Sequence, residues 1–320
     1  MTQGQVCIAG ATGYLGRRLV AELRARRLPV MAILKDRSCD EDQRNLTGLG
    51  AALAFVDASR LEPYAEALLG AEVSISCLAS ATEHVDSTND FWAIDRDANI
   101  RFGLAALEAG VLHVILVATF EGRASRHNSA FSDAKEVAVD AIGAACREAG
   151  AKFTVIRPTA YFSDLTDRAF NSVLRHWRHT VVGDGSYRIN PVDGADVAAF
   201  IANCIADPTK AGREHQVGGP DIFSFREIGM LAAEVIGRPE SLKIRMIPIW
   251  SLRLVASLAS AAGLVSRSSR RSAAMIQWMI WSGTHDAVAP ACGGRRLRDA
   301  FYLKLDAVMT LRSSMPVRVR

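Results

Sequence analysis

Residues 7–16 read CIAGATGYLG, placing Gly10, Gly13 and Gly16 at G-x-x-G-x-x-G spacing. The apolar run Val6-Cys7-Ile8-Ala9 precedes them, and RRLVAELRARR follows with helical periodicity. Strand, glycine turn and helix together aim helix N-terminal N–H groups and the positive dipole end at a pyrophosphate. Gly10 permits the tight turn, Gly13 lets backbone approach phosphate, and Gly16 lets the helix pack closely on the strand. Position strengthens the motif, because it opens a βαβ unit at the start of the chain. Gly10, Thr12, Gly13, Tyr14, Leu15 and Gly16 are the expected dinucleotide contacts.

The pattern after this loop alternates strand and helix. Strands are expected at residues 30–34, 51–56, 72–78, 111–118 and 153–156, with helices at 62–69, 94–109 and 134–149. Asn99 and Arg101 fall on the polar side of the second of these helices. Alternation of this length predicts an α/β fold, a Rossmann doubly wound parallel sheet with its ligand across the carboxyl ends of the strands. Residues 1–157 form the expected NAD(P)-binding domain. Arg157-Pro158-Thr159 breaks the pattern. Residues 158–320 are expected to be mainly a smaller, substrate-binding and C-terminal helical region, from which 180–206 return to the first domain. Ser224, with Glu227 three residues on, signals a capping box and a helix start.

Composition bounds the function. Hydrophobic residues make up 49% of the 320 and charged residues 22%, an ordinary globular balance. A formal net charge of +4 is too mild to argue for nucleic acid. The six cysteines form no CxxC pair, and of the seven histidines only His176 and His179 have ligand spacing. No disulfide framework and no metal site is expected. The first apolar run is too short for a signal peptide, so a cytoplasmic protein is expected. Residues 246–266 are the most apolar stretch and a marginal membrane span. Residues 243–285 hold six basic side chains, no acidic one, and Trp250, Trp278 and Trp281. That stretch reads either as a buried helix with a solvated basic turn, or as an apolar substrate mouth or peripheral membrane contact.

Four further places carry chemistry. The second strand ends Leu34-Lys35-Asp36-Arg37, where an NAD site would place a carboxylate on the ribose. Lys35 and Arg37 suit a 2′-phosphate, so NADPH is expected, with NADH acceptable if Asp36 points inward. Asp57, after the third strand, either bonds the adenine amine or serves as a turn residue. Leu78, Ala79 and Ser80 are small enough to leave room for ribose and pyrophosphate, or simply form a tight junction. The segment Phe131-Ser132-Asp133-Ala134-Lys135 has the one-turn spacing of the Tyr-x-x-x-Lys unit of short-chain reductases. There the lysine binds the nicotinamide ribose and the tyrosine protonates a carbonyl oxygen. Here Lys135 is present and Phe131, which has no proton to give, fills the tyrosine slot. Pro158 follows a sheet strand where backbone would meet the nicotinamide carboxamide. Tyr161 is either a proton donor or a core residue. Thr119 either touches substrate or caps its strand.

GATGYLG, FSDAK, RPTAYF, GDGSYRINPVDGADVAAFI and VGGPDIFSFREIG occur in an order that resembles an atypical, extended short-chain dehydrogenase/reductase. Within that superfamily the chain most resembles the divinyl chlorophyllide a 8-vinyl reductase group, and it is similar to NmrA-like proteins. The resemblance covers residues 5–250 well and the last 70 loosely. It implies NADPH-dependent hydride transfer to a conjugated, apolar small molecule, through C=C or a quinone-like carbonyl. The substrate would be of the divinyl chlorophyllide type or a secondary metabolite. The vinyl reductase group also has phenylalanine four residues before the lysine. The NmrA-like side of the resemblance implies an alternative, an NADPH-binding redox sensor or accessory subunit without turnover.

Overall fold

The alternation read from the sequence is present in the computed structural model, which describes residues 4–35, 38–56, 62–80, 91–262 and 267–314. The first half runs β1 (Gln5–Ala9), α1 (Tyr14–Ala25), β2 (Val30–Lys35), α2 (Asp40–Gly48), β3 (Ala52–Val56), α3 (Glu62–Leu68) and β4 (Ala71–Ser76). A π-helical stretch, Trp92–Ala98, leads into α4 (Asn99–Glu108), β5 (His113–Val117), α5 (Ala130–Ala149) and β6 (Lys152–Pro158). Next come α6 (Phe162–Leu165), a second π-helical stretch, α7 (Asn171–His176), β7 (Arg178–Val182), β8 (Arg188–Ile189) and α8 (Gly194–Ala206). The last elements are β9 (Glu214–Val217), β10 (Phe223–Ser224), α9 (Phe225–Ile236), β11 (Lys243–Ile247), α10 (Ile249–Ala262), α11 (Arg267–Ser282) and α12 (Leu297–Ser314).

Seven strands form one parallel sheet in the order β3-β2-β1-β4-β5-β6-β9. This is the Rossmann order, and its reversal between β1 and β4 makes the crevice where such folds bind nucleotides. Strand alternation divides the apolar side chains between two cores. Val6 and Ile8 of β1, with Ala32 and Leu34 of β2, face a core shared with α1 and α8. Cys7, Ala9 and Ile33 face the other, with α3, α4 and α5. Of residues 180–206, it is α8 that packs on α1, while β7 pairs with β11 and β8 with β10 outside the main sheet. The capping box at Ser224 and Glu227 is formed and opens α9.

Two expectations are corrected. Asn99 does not lie on a polar face; it is fully buried and accepts from the Ser76 hydroxyl at 2.6 Å. The strand does not break at Arg157-Pro158, and β6 runs through both. Pro158 lies beyond the pairing with β5, so its missing N–H costs no bond there. Arg157 stays in the strand because carboxylates below it neutralise its charge.

His113 opens β5 buried, with Nε2 2.7 Å from the Thr154 hydroxyl. Burial, and secondarily the charge of Lys152, push its pKa down to about 4. The unfolded chain titrates near ~6.5. His113 therefore contributes stability that is complete above the unfolded value and is lost as pH falls toward the folded one. The loss is about 3 kcal/mol over that window. Thermal unfolding of His113→Leu should show a flatter acid limb between those two values, and an unchanged limb would refute this assignment.

Candidate active site

The glycine turn sits at the crevice. Gly10 adopts φ 79°, in the left-handed region, and a Cβ there would come 2.8 Å from the Cys77 carbonyl carbon at the end of β4. The Gly13 amide donates to the Gly10 carbonyl at 3.1 Å and closes the turn. Gly13 then caps α1 from an extended conformation, with no acidic residue in the first helical turn. The amides of Tyr14, Leu15 and Gly16 belong to that turn, where no intrahelical acceptor exists, so they suit an anion. Of the three motif glycines, Gly16 has the tightest surroundings. A Cβ on it would overlap the Gly10 carbonyl oxygen and lie 2.7 Å from the Ala11 Cα. Gly16→Ala should push α1 off the turn, weaken dinucleotide binding at least ~10-fold and cost about 1–3 kcal/mol. Fluorescence titration with NADPH checks this, and a wild-type dissociation constant would refute it.

Around the turn, Thr12 is half-buried and its carbonyl accepts from Arg17 Nε at 2.6 Å. The same guanidinium reaches Asp42 at 2.8 Å. The sequence reading did not single out Arg17; its place directly after the third glycine was the available signal. Lys35 ends β2 exposed, and its carbonyl accepts from the Ser38 amide and hydroxyl. Arg37 and Asp57, like Asp36, lie outside the described residues.

Lys135 is the centre of the site. Its side chain is 4% exposed, and Nζ lies 3.0 Å from Asp95 Oδ1 and donates to the Leu78 carbonyl at 2.6 Å. Asp95 is wholly buried, and its Oδ2 accepts from the Ser80 hydroxyl at 2.6 Å and the Ser80 amide at 3.2 Å. Leu78 and Ser80 thus bind the lysine and its carboxylate, while Ala79 is exposed between them. Asp95 lies in the π-helical stretch Trp92–Ala98, a distortion often found at functional sites. Sequence reading did not single it out. Its i, i+4 relation to Asn99, whose amide also donates to the Leu78 carbonyl at 3.3 Å, was the signal.

Phe131 is one turn before Lys135 on α5. Its ring meets Phe91 edge-on at 5.3 Å and Trp278 of α11 at 5.5 Å. Ser129 caps α5 and donates to the Ala274 carbonyl at 2.9 Å, tying α11 to this wall. The tyrosine slot is therefore filled by an aromatic, hydroxyl-free surface. Two hydroxyls stand at neighbouring strand ends. Thr119 Oγ1 and Tyr161 Oη are buried, and neither has a hydrogen-bond partner among the described residues. Tyr161 packs edge-on against Tyr14 of the glycine turn at 5.3 Å. Burial raises its pKa well above the usual tyrosine value, so it keeps its proton at neutral pH. Pro158 is buried at the end of β6.

Beneath these groups Arg157 donates to Glu136 Oε1 at 2.6 Å and Oε2 at 3.0 Å, to Glu214 at 2.7 Å and to the Thr119 carbonyl at 2.8 Å. Burial opposes the Arg157 charge, and the bonds and charges of Glu136 and Glu214 outweigh it, raising its pKa. Lys135 and Glu136 are adjacent, so two ion pairs about 100° apart around α5 fix its rotation. Among the described residues no group of three or more His, Cys, Asp or Glu could hold a metal ion. His179 is buried against the Phe225 carbonyl and His176 is exposed, so that pair does not converge.

The glycine cradle, the free first-turn amides and the unpartnered hydroxyls fit a dinucleotide. Fold and site together define an NAD(P)H-binding α/β protein. The chain belongs to the NAD(P)H-binding family, whose model matches residues 10–208. It is 27% identical over 261 residues to the chloroplastic divinyl chlorophyllide a 8-vinyl-reductase of Arabidopsis thaliana, covering 75% of this chain and 59% of that one. It is also 27% identical over 241 residues to the mitochondrial NADH dehydrogenase [ubiquinone] 1 alpha subcomplex subunit 9 of Arabidopsis thaliana, covering 72% and 57%. The chain thus spans less than two thirds of the length of each. The NADPH complex of an NADPH-dependent quinone oxidoreductase from Escherichia coli superposes with a TM-score of 0.69 at 17% identity, covering 94% of this chain and 99% of that one. The resemblance to the vinyl reductases and the Rossmann fold expected from the sequence both hold.

Proposed function

We propose that the protein is an NADPH-dependent reductase of a conjugated, apolar small molecule, acting on C=C or a quinone-like carbonyl. One observation carries this reading. Lys135 is buried and anchored while the one-turn position before it is Phe131, set in an aromatic wall with Phe91 and Trp278. The cofactor-holding half of the short-chain reductase unit is retained, and the phenol that serves ordinary ketone reduction is replaced by an apolar surface. The likeness to a vinyl reductase supports an acceptor of that class.

When bound, the nicotinamide supplies the hydride. The amides of the glycine turn would hold the pyrophosphate, and Lys135, its ammonium fixed by Asp95, would bind the ribose hydroxyls. The Phe131 wall excludes water and packs a flat acceptor face. Hydride addition to an activated alkene spreads charge over the conjugated system, so the proton that completes the reduction can come from a less strictly placed donor. Thr119, Tyr161 and water are the candidates. Lys35 and Arg37 favour the 2′-phosphate of NADPH over NADH, since ammonium and guanidinium groups pair with phosphate oxygens.

NADPH oxidation should be measured with quinones and with vinyl-bearing tetrapyrroles. Turnover is expected with at least one acceptor, with a lower KM for NADPH than for NADH that Arg37→Ala raises about 10-fold or more. The second reading is NADPH binding without turnover. Phe131 and the likeness to a respiratory NADH dehydrogenase subunit favour it. Tight NADPH binding with no oxidation by any acceptor of either class would select it.

A further inference from the structure

Helix α10 presents its apolar side outward. Trp250 is 70% exposed, Leu254 54% and Leu258 63%, at i, i+4 and i+8 on one face. Val255 on the same helix and Met246 of β11 are exposed as well. Inward, α10 buries only Leu252 and Ala256, and it packs along α11. Apolar area of this kind on one helix marks an interaction surface. Charge says which kind. Residues 241–285 contain no Asp or Glu; Arg253 is exposed on α10 itself, and Lys243 and Arg245 are exposed on β11, which leads into it. Arg267, Arg270 and Arg271 open α11 in the same stretch. Helix α12 exposes Leu303, Met309 and Leu311 too, but carries exposed Asp306 among them.

We propose that the α10–α11 hairpin docks on an anionic lipid bilayer, with Trp250, Leu254 and Leu258 seated in the interface. A Trp/Leu face flanked by basic side chains is the pattern of helices that lie in a membrane surface. The helix would lie on the bilayer and not cross it. At 14 residues it is about 21 Å long, against a ~30 Å hydrocarbon core. Among the described residues no helix is long and apolar enough to cross a membrane. A second copy of the chain fits this face less well, since face-to-face pairing would oppose two acid-free basic surfaces. The hairpin also joins the site, because Trp278 of α11 touches Phe131 and Ser129 bonds the Ala274 carbonyl. Docking would bring the apolar wall beside Lys135 close to molecules dissolved in lipid. The docking itself does not depend on the identity of the acceptor.

Flotation with phosphatidylcholine vesicles, with and without phosphatidylglycerol, tests this. The wild-type protein should float with the anionic vesicles at low salt. W250S/L254S/L258S should weaken that binding at least roughly tenfold, and Arg245→Gln or Arg253→Gln about fivefold each. NADPH fluorescence titration should be unchanged in all of these variants, which separates docking from the proposed reaction. Absence of flotation at low salt would overturn the proposal. So would equal flotation of wild type and triple variant. A wild-type dimer that the triple variant dissociates, with no flotation, would assign the face to a second copy of the chain instead.

Discussion

If Lys135 holds the ribose as proposed, Lys135→Met should weaken NADPH binding ~10- to 100-fold and abolish the proposed turnover, because it removes a charged hydrogen-bond donor. It should also lower stability. Asp95 is 0% exposed, and without the lysine its carboxylate keeps, among the described residues, its two bonds from Ser80. An uncompensated buried charge costs about 3–5 kcal/mol. Loss of activity in the single variant would therefore mix two effects. The double variant Lys135→Met/Asp95→Asn separates them. Asparagine keeps an acceptor oxygen for Ser80 and removes the stranded charge. Melting temperature should recover in the double variant while NADPH affinity stays low. Wild-type NADPH affinity in that protein would show that Lys135 does not hold the cofactor.

Arg157→Met should strongly destabilise the nucleotide-binding half. Arg157 and Glu136 are both 0% exposed, and the pair is bidentate. Glu214 is 35% exposed and can turn to water, but Glu136 cannot. The expected loss is about 3–5 kcal/mol, a drop in melting temperature of roughly 10 °C. Arg157→Met/Glu136→Leu should regain most of it, since an apolar pair of similar volume often replaces a buried ion pair without net cost. A single variant that melts like wild type would show that the cluster adds nothing. Activity provides a second readout. The Thr119 carbonyl loses the Arg157 donor and keeps only the Gly122 amide at 3.3 Å, and α5 loses one of its two buried ion pairs, so kcat should fall more than NADPH affinity does.

The parts of this molecule that were legible in the sequence are those whose signal is local. The glycine spacing is read within ten residues, and the helix start at Ser224 within four. The two-sided burial of β1, with Val6 and Ile8 to one core and Cys7 and Ala9 to the other, appears as an unbroken apolar run. What stayed hidden depends on distant partners. Arg157 read as an interruption because a charge in a strand looks like an exposed residue. Its partners Glu136 and Glu214 lie 21 and 57 positions away. Lys135 announced itself by spacing, but its burial follows from Asp95, whose inward direction is set by the π-helical turn around it. Asn99 was assigned to the wrong face for the same reason. The second half was read least well because β7 finds its neighbour only in β11, more than sixty residues on.

The path of the chain has one more consequence. After β6 the backbone leaves the sheet, then returns as α8 against α1 and again as β9 beside β6. Ending the chain at the close of β6 would strip the cover from α1 and leave the N–H and C=O groups of β6 unpaired along one side, an edge prone to self-association. The nucleotide-binding half is therefore no free-standing cassette. It cannot be trimmed out or grafted elsewhere without its later segments. A mutation that loosens these later segments has a direct route to the half that matches the NAD(P)H-binding family.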